Sequence, residues 1–243
     1  MKILAIDSSG LIASAALATE DVVLAEYTTN YKKTHSQTLL PMIDEIVRMT
    51  ETELSALDAI AVTAGPGSFT GLRIGSATAK GLGQALDKPL IAVPTTEVLA
   101  WNLCGTEAVI CPLMDARRSQ VYTGLYRWNI ETETMDCLAE QRAAAVEDII
   151  AEVNRLGQPV IYLGDGADAY HGVLEEKTEV PYSFAPVHMS KQRAASLAAC
   201  AFVYAKEGKT QTAAEFVPTY LRKSQAERER EEKERETKQK VNG

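Results

Sequence analysis

The sequence is short of the residues that most readily declare a chemistry. Cysteine occurs four times, at Cys104, Cys111, Cys137 and Cys200. No two form a C-x-x-C pair, so neither a disulfide framework nor a thiolate zinc site is expected, and the four read as reduced thiols. Histidine occurs three times, at His35, His171 and His188. No two lie three or four residues apart and there is no H-E-x-x-H, so no metal site is expected from them. No apolar run approaches the roughly 20 residues of a membrane span. The run Ile3 to Ile6 is too short for a cleavable signal. Together these absences point to a soluble, cytoplasmic chain.

Positive charge is also in short supply. Lys and Arg number 25 against 33 Asp and Glu, a net charge of −8. The segment from Arg222 onward holds eight basic and six acidic residues, so the body before it is more acidic still. That balance argues against broad, sequence-independent binding of nucleic acid, which rests on phosphate neutralisation.

What is present is an alternation of strands and helices in 243 residues, enough for two lobes. "KILAID", "GLIASAALAT" and "DVVLAEYTT" read as three strands of a meander. In "THSQTLLPMIDEIVRMT", Leu39, Leu40, Ile43, Ile46 and Val47 fall at helical spacing, with Pro41 expected near the first turns. "LDAIAVTAG" reads as a strand parallel to the first, followed by a turn, a helix and the strand "PLIAVPT". From about residue 100 the plan partly repeats. "AVICPLMDA", "QVYTGLYRW" and a segment around "DCLAEQRAAA" form a second meander, then come the helix "VEDIIAEVNRL", the strand "PVIYLGDGA" and the helix "KQRAASLAACAFVYAKEG". The expected organisation is an N-terminal lobe over 1–102, a second lobe over 103–221 and a charged tail over 222–243. The helix from about Ser190 is a candidate to pack back on the first lobe.

Residues 64 to 75, "AGPGSFTGLRIG", place a glycine-rich turn between a strand and a helix, where many proteins hold phosphate. A P-loop fails: Gly65 would need glycine at 70 and lysine at 71, which are Thr70 and Gly71. G-x-G-x-x-G fails too, because the third glycine falls at 71 rather than 70. The turn amides remain open to an anion, and the plainer reading is that Ser68 or Thr70 caps the helix. Gly71, Gly75, Gly81 and Gly83 then lie inside that helix, at roughly 0.8–1 kcal/mol each against alanine. Gly71, Gly75, Ala79 and Gly83 are spaced by four and form one stripe of small residues. Such a stripe admits a close neighbour, either this protein's own sheet or another subunit.

Other constellations are weaker. Ser68 lacks the glycines of a nucleophile elbow. Asp7 ends the first strand before "SSG", where an acid can place Mg²⁺ or water in a phosphotransferase, or simply hold an Asx turn. Asp115, Arg117 and Arg118 in "MDARRSQVY" suit either an anion or acidic neighbours. "LGDGAD" lines an interlobe cleft or is a plain loop.

Taken together and in this order, "AIDSS", "HSQTLLPMID", "AGPGSFTGLRIG", "DARRSQVY" and "PTYLR" resemble the bacterial TsaB (YeaZ) family over about residues 1 to 222. The resemblance implies an α/β fold of two lobes, the ASKHA plan of actin, Hsp70 and sugar kinases, each lobe a mixed sheet with flanking helices. It implies a paralogue of TsaD, the catalytic subunit that installs threonylcarbamoyl on N6 of adenosine 37 in tRNA. TsaD-like proteins carry an H-x-x-x-H metal pair, and here His35 is followed by Leu39. The implied role is therefore a non-catalytic scaffold, with no catalytic, metal or cofactor residues of its own. It would bind a TsaD-like subunit, help recruit a TsaE-like ATPase, meet tRNA only indirectly and form a homodimer when alone. The family's subunit contact maps onto Leu39, Leu40, Ile43 and Val47 of the first helix and the Gly71, Gly75, Ala79, Gly83 stripe of the second. The alternative is an ATP-dependent phosphotransferase or ATPase of the same fold using Asp7. The tail after Arg222 is outside the family pattern.

Overall fold

The structure, a computed structural model, describes residues 1–222 apart from Lys32. The expected tail thus lies, beyond Arg222, outside the described residues. Two five-stranded sheets are built on one plan. In the first, β1 (Lys2–Asp7), β2 (Ala13–Thr19) and β3 (Val23–Thr29) form an antiparallel meander. β4 (Ala59–Gly65) and β5 (Leu90–Pro94) then add in parallel on the other side of β1, giving the order β3-β2-β1-β4-β5. Between them run α1 (His35–Met49) and α2 (Phe69–Leu86). The short α3 (Thr95–Ala100) leads into the second lobe.

There β6 (Val109–Arg117), β7 (Gln120–Asn129) and β8 (Thr134–Ala145) repeat the meander. α4 (Val146–Leu156) precedes β9 (Val160–Leu163), and the short helices α5 (Asp165–Ala169) and α6 (His171–Lys177) precede β10 (Tyr182–Phe184). β9 and β10 are parallel additions, so the order β8-β7-β6-β9-β10 mirrors the first sheet. The last helix is α7 (Ala194–Lys206). This is the two-lobed α/β architecture that the resemblance implied.

Period-two alternation in β1 builds two layers from one strand. Leu4 and Ile6 face a core shared with α1 and α2, whereas Ile3 and Ala5 face a core shared with α7. α1 contributes Leu39, Met42, Ile43 and Ile46, at spacings of three and four along one face. Pro41 sits a turn deeper in α1 than its preferred place, on the solvent side, where the carbonyl it leaves unbonded reaches water. α7 covers the other face of the first sheet with Ala194, Leu197, Ala198 and Ala201. The connector closes the join: Leu99, Ala100 and Leu103 pack on Ile110, Met114 and Tyr126 of the second lobe, and the Thr96 and Tyr126 hydroxyls lie 2.8 Å apart.

Beyond α7 the chain straps back over both lobes. Gln211 pairs with Leu90 at the edge of β5. Phe216 enters the first core, and Lys80 Nζ donates to its carbonyl at 2.9 Å. Thr219 N–H donates to Ala64 O at 2.6 Å, the Tyr220 ring stacks on Phe69 at 4.4 Å, and Arg222 Nη1 donates to Ala116 O at 2.6 Å. Three short elements lay below the reach of sequence periodicity: α3, α6 and β10. "LGDGAD" is a tight glycine turn followed by a helix, α5, rather than turn throughout.

Candidate functional site

Two regions answer to the sequence motifs: the turn joining strand β4 to α2, and the paired helices α1 and α2. At the turn, Ser68 caps α2, its side chain accepting from Gly71 N–H at 3.3 Å. Ser68 N–H is given to Ser9 O at 2.7 Å. A Cβ at Gly67 would lie 2.2 Å from Ser9 O, and one at Gly71 2.0 Å from Ser8 O. These glycines let the backbone of the β1–β2 turn lie directly against the start of α2. The turn is shaped by a close approach within the chain, which takes the Ser68 amide, while the Gly71 amide is taken by the Ser68 cap.

The stripe continues the same contact. A Cβ at Gly75 would sit 2.5 Å from Ser8 Oγ, which itself donates to Gly71 O at 2.8 Å. Ala79 is fully buried, and a Cβ at Gly83 would meet Leu90 Cδ2 at 2.9 Å. The stripe of Gly71, Gly75, Ala79 and Gly83 is therefore taken up by this protein's own sheet, and in the free chain it is no surface for another subunit. On α1, Leu39 and Ile43 are buried and Val47 half-buried in the same core, whereas Leu40 is 55% exposed. Of the eight expected interface residues, one faces solvent. The correction has a simple cause: spacing by four identifies a helix face but not its direction.

The outward face of α2 carries Thr70, Arg73, Ala77, Gly81 and Gln84, and nothing lies within 4 Å of a Cβ built on Gly81. On α1, Leu40 and Met49 are exposed at 55% and 68% on opposite sides of the helix, and Pro41 lines a groove against β3. The two helices pack against each other over one core. Their outer surface mixes apolar and polar residues, and at Ala77 and Gly81 α2 offers only a methyl group and a bare backbone. Gly81, which broke the spacing of the stripe, was the signal in the sequence.

Between the lobes lies a cavity of about 270 Å³, lined by Ser9, Gly67, Ser68, Asp115, Arg117 and Asp165 among others. Asp115 is held from three sides. Its Oδ1 accepts from Arg117 N–H at 2.8 Å and Tyr170 O–H at 3.1 Å, and its Oδ2 pairs with Arg117 Nη1 at 3.4 Å. Asp165 accepts from Asp115 N–H at 3.3 Å, and burial raises its carboxyl pKa. Arg117, Arg118 and Ser119 all have positive φ, so the tip of the β6–β7 hairpin is a left-handed run. Of the two sequence readings for these arginines, Arg117 takes the acidic neighbour.

Asp7 is fully buried. Its Oδ1 accepts from Ser9 N–H, Ser9 O–H and Thr63 O–H at 2.8, 2.7 and 3.1 Å, while Oδ2 is buried without a hydrogen bond. Burial raises its pKa against the pull of those donors. The Asx-type turn at Ser9 is thus present, as one of the two sequence readings held. His35, at the start of α1, donates from Nε2 to Gly10 O at 2.9 Å. Among the described residues, no three His, Cys, Asp or Glu side chains cluster in a way that would hold a metal, and no helix is long and apolar enough to cross a membrane.

Comparison with known proteins places this geometry. The family model for TsaD, tRNA N6-adenosine threonylcarbamoyltransferase, matches residues 22–230. The tRNA threonylcarbamoyladenosine biosynthesis protein TsaB of Bacillus subtilis is 34% identical over 227 residues, covering 93% of this chain and 96% of that one. The chain belongs to the TsaB family. The Escherichia coli TsaB is 30% identical with the same coverage. A YeaZ crystal structure from Pseudomonas aeruginosa superposes with a TM-score of 0.75 at 27% identity, covering 90% of this chain and 99% of that one. The family is that of tRNA threonylcarbamoyladenosine biosynthesis, and the TsaD match fits a TsaD paralogue.

Proposed function

We propose that this chain is a non-catalytic partner subunit in tRNA N6-threonylcarbamoyladenosine synthesis. It docks a TsaD-like catalytic subunit on the outer faces of α1 and α2, and the pair helps to recruit a TsaE-like ATPase. One observation carries the docking surface: α2 is bare at exposed Ala77 and Gly81, while the neighbouring helix α1 leaves Leu40 55% exposed. A partner helix can approach closely over Gly81 and bury Leu40 within the contact. The non-catalytic role is supported at position 35. His35 is engaged with Gly10 O, and the place of the second histidine of an H-x-x-x-H pair is held by Leu39, 1% exposed inside the core.

The test mixes the purified chain with its host's TsaD homologue and reads size exclusion with light scattering. tRNA threonylcarbamoylation is assayed in the same fractions, with TsaC and TsaE homologues supplied. A 1:1 complex and modification that requires this chain are expected. Leu40→Glu should leave the melting temperature unchanged and weaken the complex by about thirtyfold, the effect of losing one anchoring side chain. No complex, or modification independent of this chain, overturns the proposal.

The alternative, an ATP-dependent phosphotransferase or ATPase, draws on Asp7 and its unpartnered Oδ2. It requires ATP to raise the melting temperature of the free chain, and Asp7→Asn to remove that rise.

A further inference from the structure

A second cavity, of about 310 Å³, opens where the connector between the lobes meets the end of α7 and the outer strand β8. It shares no lining residue with the interlobe cavity that holds Asp115. Its walls are carboxylates and aromatic rings. Glu97 and Trp101 come from the connector, Tyr126 from β7, Glu140 from β8, and Tyr204 and Glu207 from the end of α7.

Two of the three acids have no cation of their own. Glu207 pairs with Lys209 Nζ at 2.6 Å. Glu97 takes neutral donors: Tyr204 O–H on Oε2 at 2.7 Å and Cys200 S–H on Oε1 at 3.4 Å. Burial raises its carboxyl pKa against those donors, and a cation beside it would favour the anion again. Glu140 makes no ion pair among the described residues. Both acids bear on one space. At Tyr126 and at Cys137, burial raises the pKa first, and Glu97 and Glu140 both raise it further.

The cavity also shows what kind of cation suits it. Lys209, which lines it too, sets its ammonium 4.5 Å from the centre of the Tyr204 ring, an alkylammonium on an aromatic face. Trp101 and Tyr126 supply further rings beside the acids that lack a cation. Among the described residues no three His, Cys, Asp or Glu side chains come together to hold a metal ion, and rings suit a carbon chain better than a hydrated ion. We propose that this cavity binds an aliphatic diamine or polyamine, its methylenes against Trp101 and Tyr126 and its ammonium groups on Glu97 and Glu140. The site lies apart from α1 and α2, so it does not depend on the partner docking proposed above.

Titration of the full chain with putrescine and with spermidine, read by calorimetry and by tryptophan emission, tests this. The chain has two tryptophans, Trp101 in the cavity wall and Trp128 packed edge-on against it at 5.5 Å, so emission reports from the site. One saturable site is expected, with a dissociation constant of about 10 µM to 1 mM. Glu97→Gln and Glu140→Gln should each weaken it by about tenfold or more, the effect of removing one charge-assisted hydrogen bond. Asp44→Asn, which removes an exposed carboxylate from α1, should leave it unchanged. Circular dichroism and melting temperature confirm that each variant is folded. No saturation below about 10 mM overturns the proposal. Equal weakening by all three variants also overturns it, because the amine would then be drawn diffusely to an acidic chain. So does a site that both glutamine variants leave intact, because the amine would then bind elsewhere.

Discussion

Gly75 and Gly81 lie six residues apart in α2, and both are in its interior, yet alanine should have opposite effects at the two. Alanine gains about 0.8–1 kcal/mol of helix propensity at either position. At Gly81 nothing lies within 4 Å of the new methyl, so that gain stands alone. At Gly75 the methyl would be 2.5 Å from Ser8 Oγ, a buried hydroxyl that donates to Gly71 O. Relieving that overlap costs about 1–3 kcal/mol as overpacking. Displacing the hydroxyl forfeits a further ~1 kcal/mol of hydrogen bond. Net, Gly75→Ala should destabilise by about 1–3 kcal/mol while Gly81→Ala stabilises by about 1. For a chain of this length each kcal/mol moves the melting temperature by about 2–4 °C. Thermal melts of the two variants against the parent should therefore fall on opposite sides of it. Shifts of the same sign would refute the assignment of α2's inward and outward faces.

Other outcomes follow from burial. Asp7 and Asp165 have pKa values raised by burial, so the native chain holds protons that the unfolded chain releases between the ordinary carboxylate value of 3.8 and the raised ones. Stability should fall as pH rises through that window. In denaturant titrations from about pH 4 to 7, the stability difference between Asp7→Asn and the parent should move in the variant's favour; a constant difference would mean that Asp7 folds as an anion. Phe216→Ala should cost about 3–5 kcal/mol, although the residue lies in a segment with no helix or strand, because its ring is 1% exposed in the first core. Burial lifts the Cys111 thiol to about 12, and Cys137 is the more exposed of two surface thiols with a smaller rise. A thiol reagent at pH 8 should label Cys137 in the native chain and Cys111 only after unfolding, as mass spectrometry of digests would show.

The strands and long helices were legible because their residues repeat with the period of the element that holds them, as Leu39, Ile43 and Ile46 do in α1. Family membership was legible in the order of five short motifs. The direction of the α2 stripe was not, because a glycine every fourth residue shows that something comes close without naming it. Ser8, which does come close to Gly75, is 67 residues away in sequence. The interlobe carboxylates were similarly hidden. Asp115 and Asp165 share a hydrogen bond across 50 residues, and only the pairing of β6 with β9 brings their strand ends together. Element length set the other limit: α3 and β10 span six and three residues, too few to show a period.

The strap and α7 also bear on how the chain is made. The first lobe begins at Lys2, but its sheet stays uncovered on one face until Ala194 to Ala201 arrive, and its opposite core lacks Phe216. A ribosome will have delivered the whole second lobe before the first can close. A nascent chain halted near residue 110 would carry Ile3, Ala5, Ala61 and Val93 open to water, in need of a chaperone, whereas the second lobe draws its core from residues 99–189 and can close first. The lobe begun first is the last to be finished, so early termination anywhere before Phe216 should yield a chain that is degraded rather than a smaller working domain.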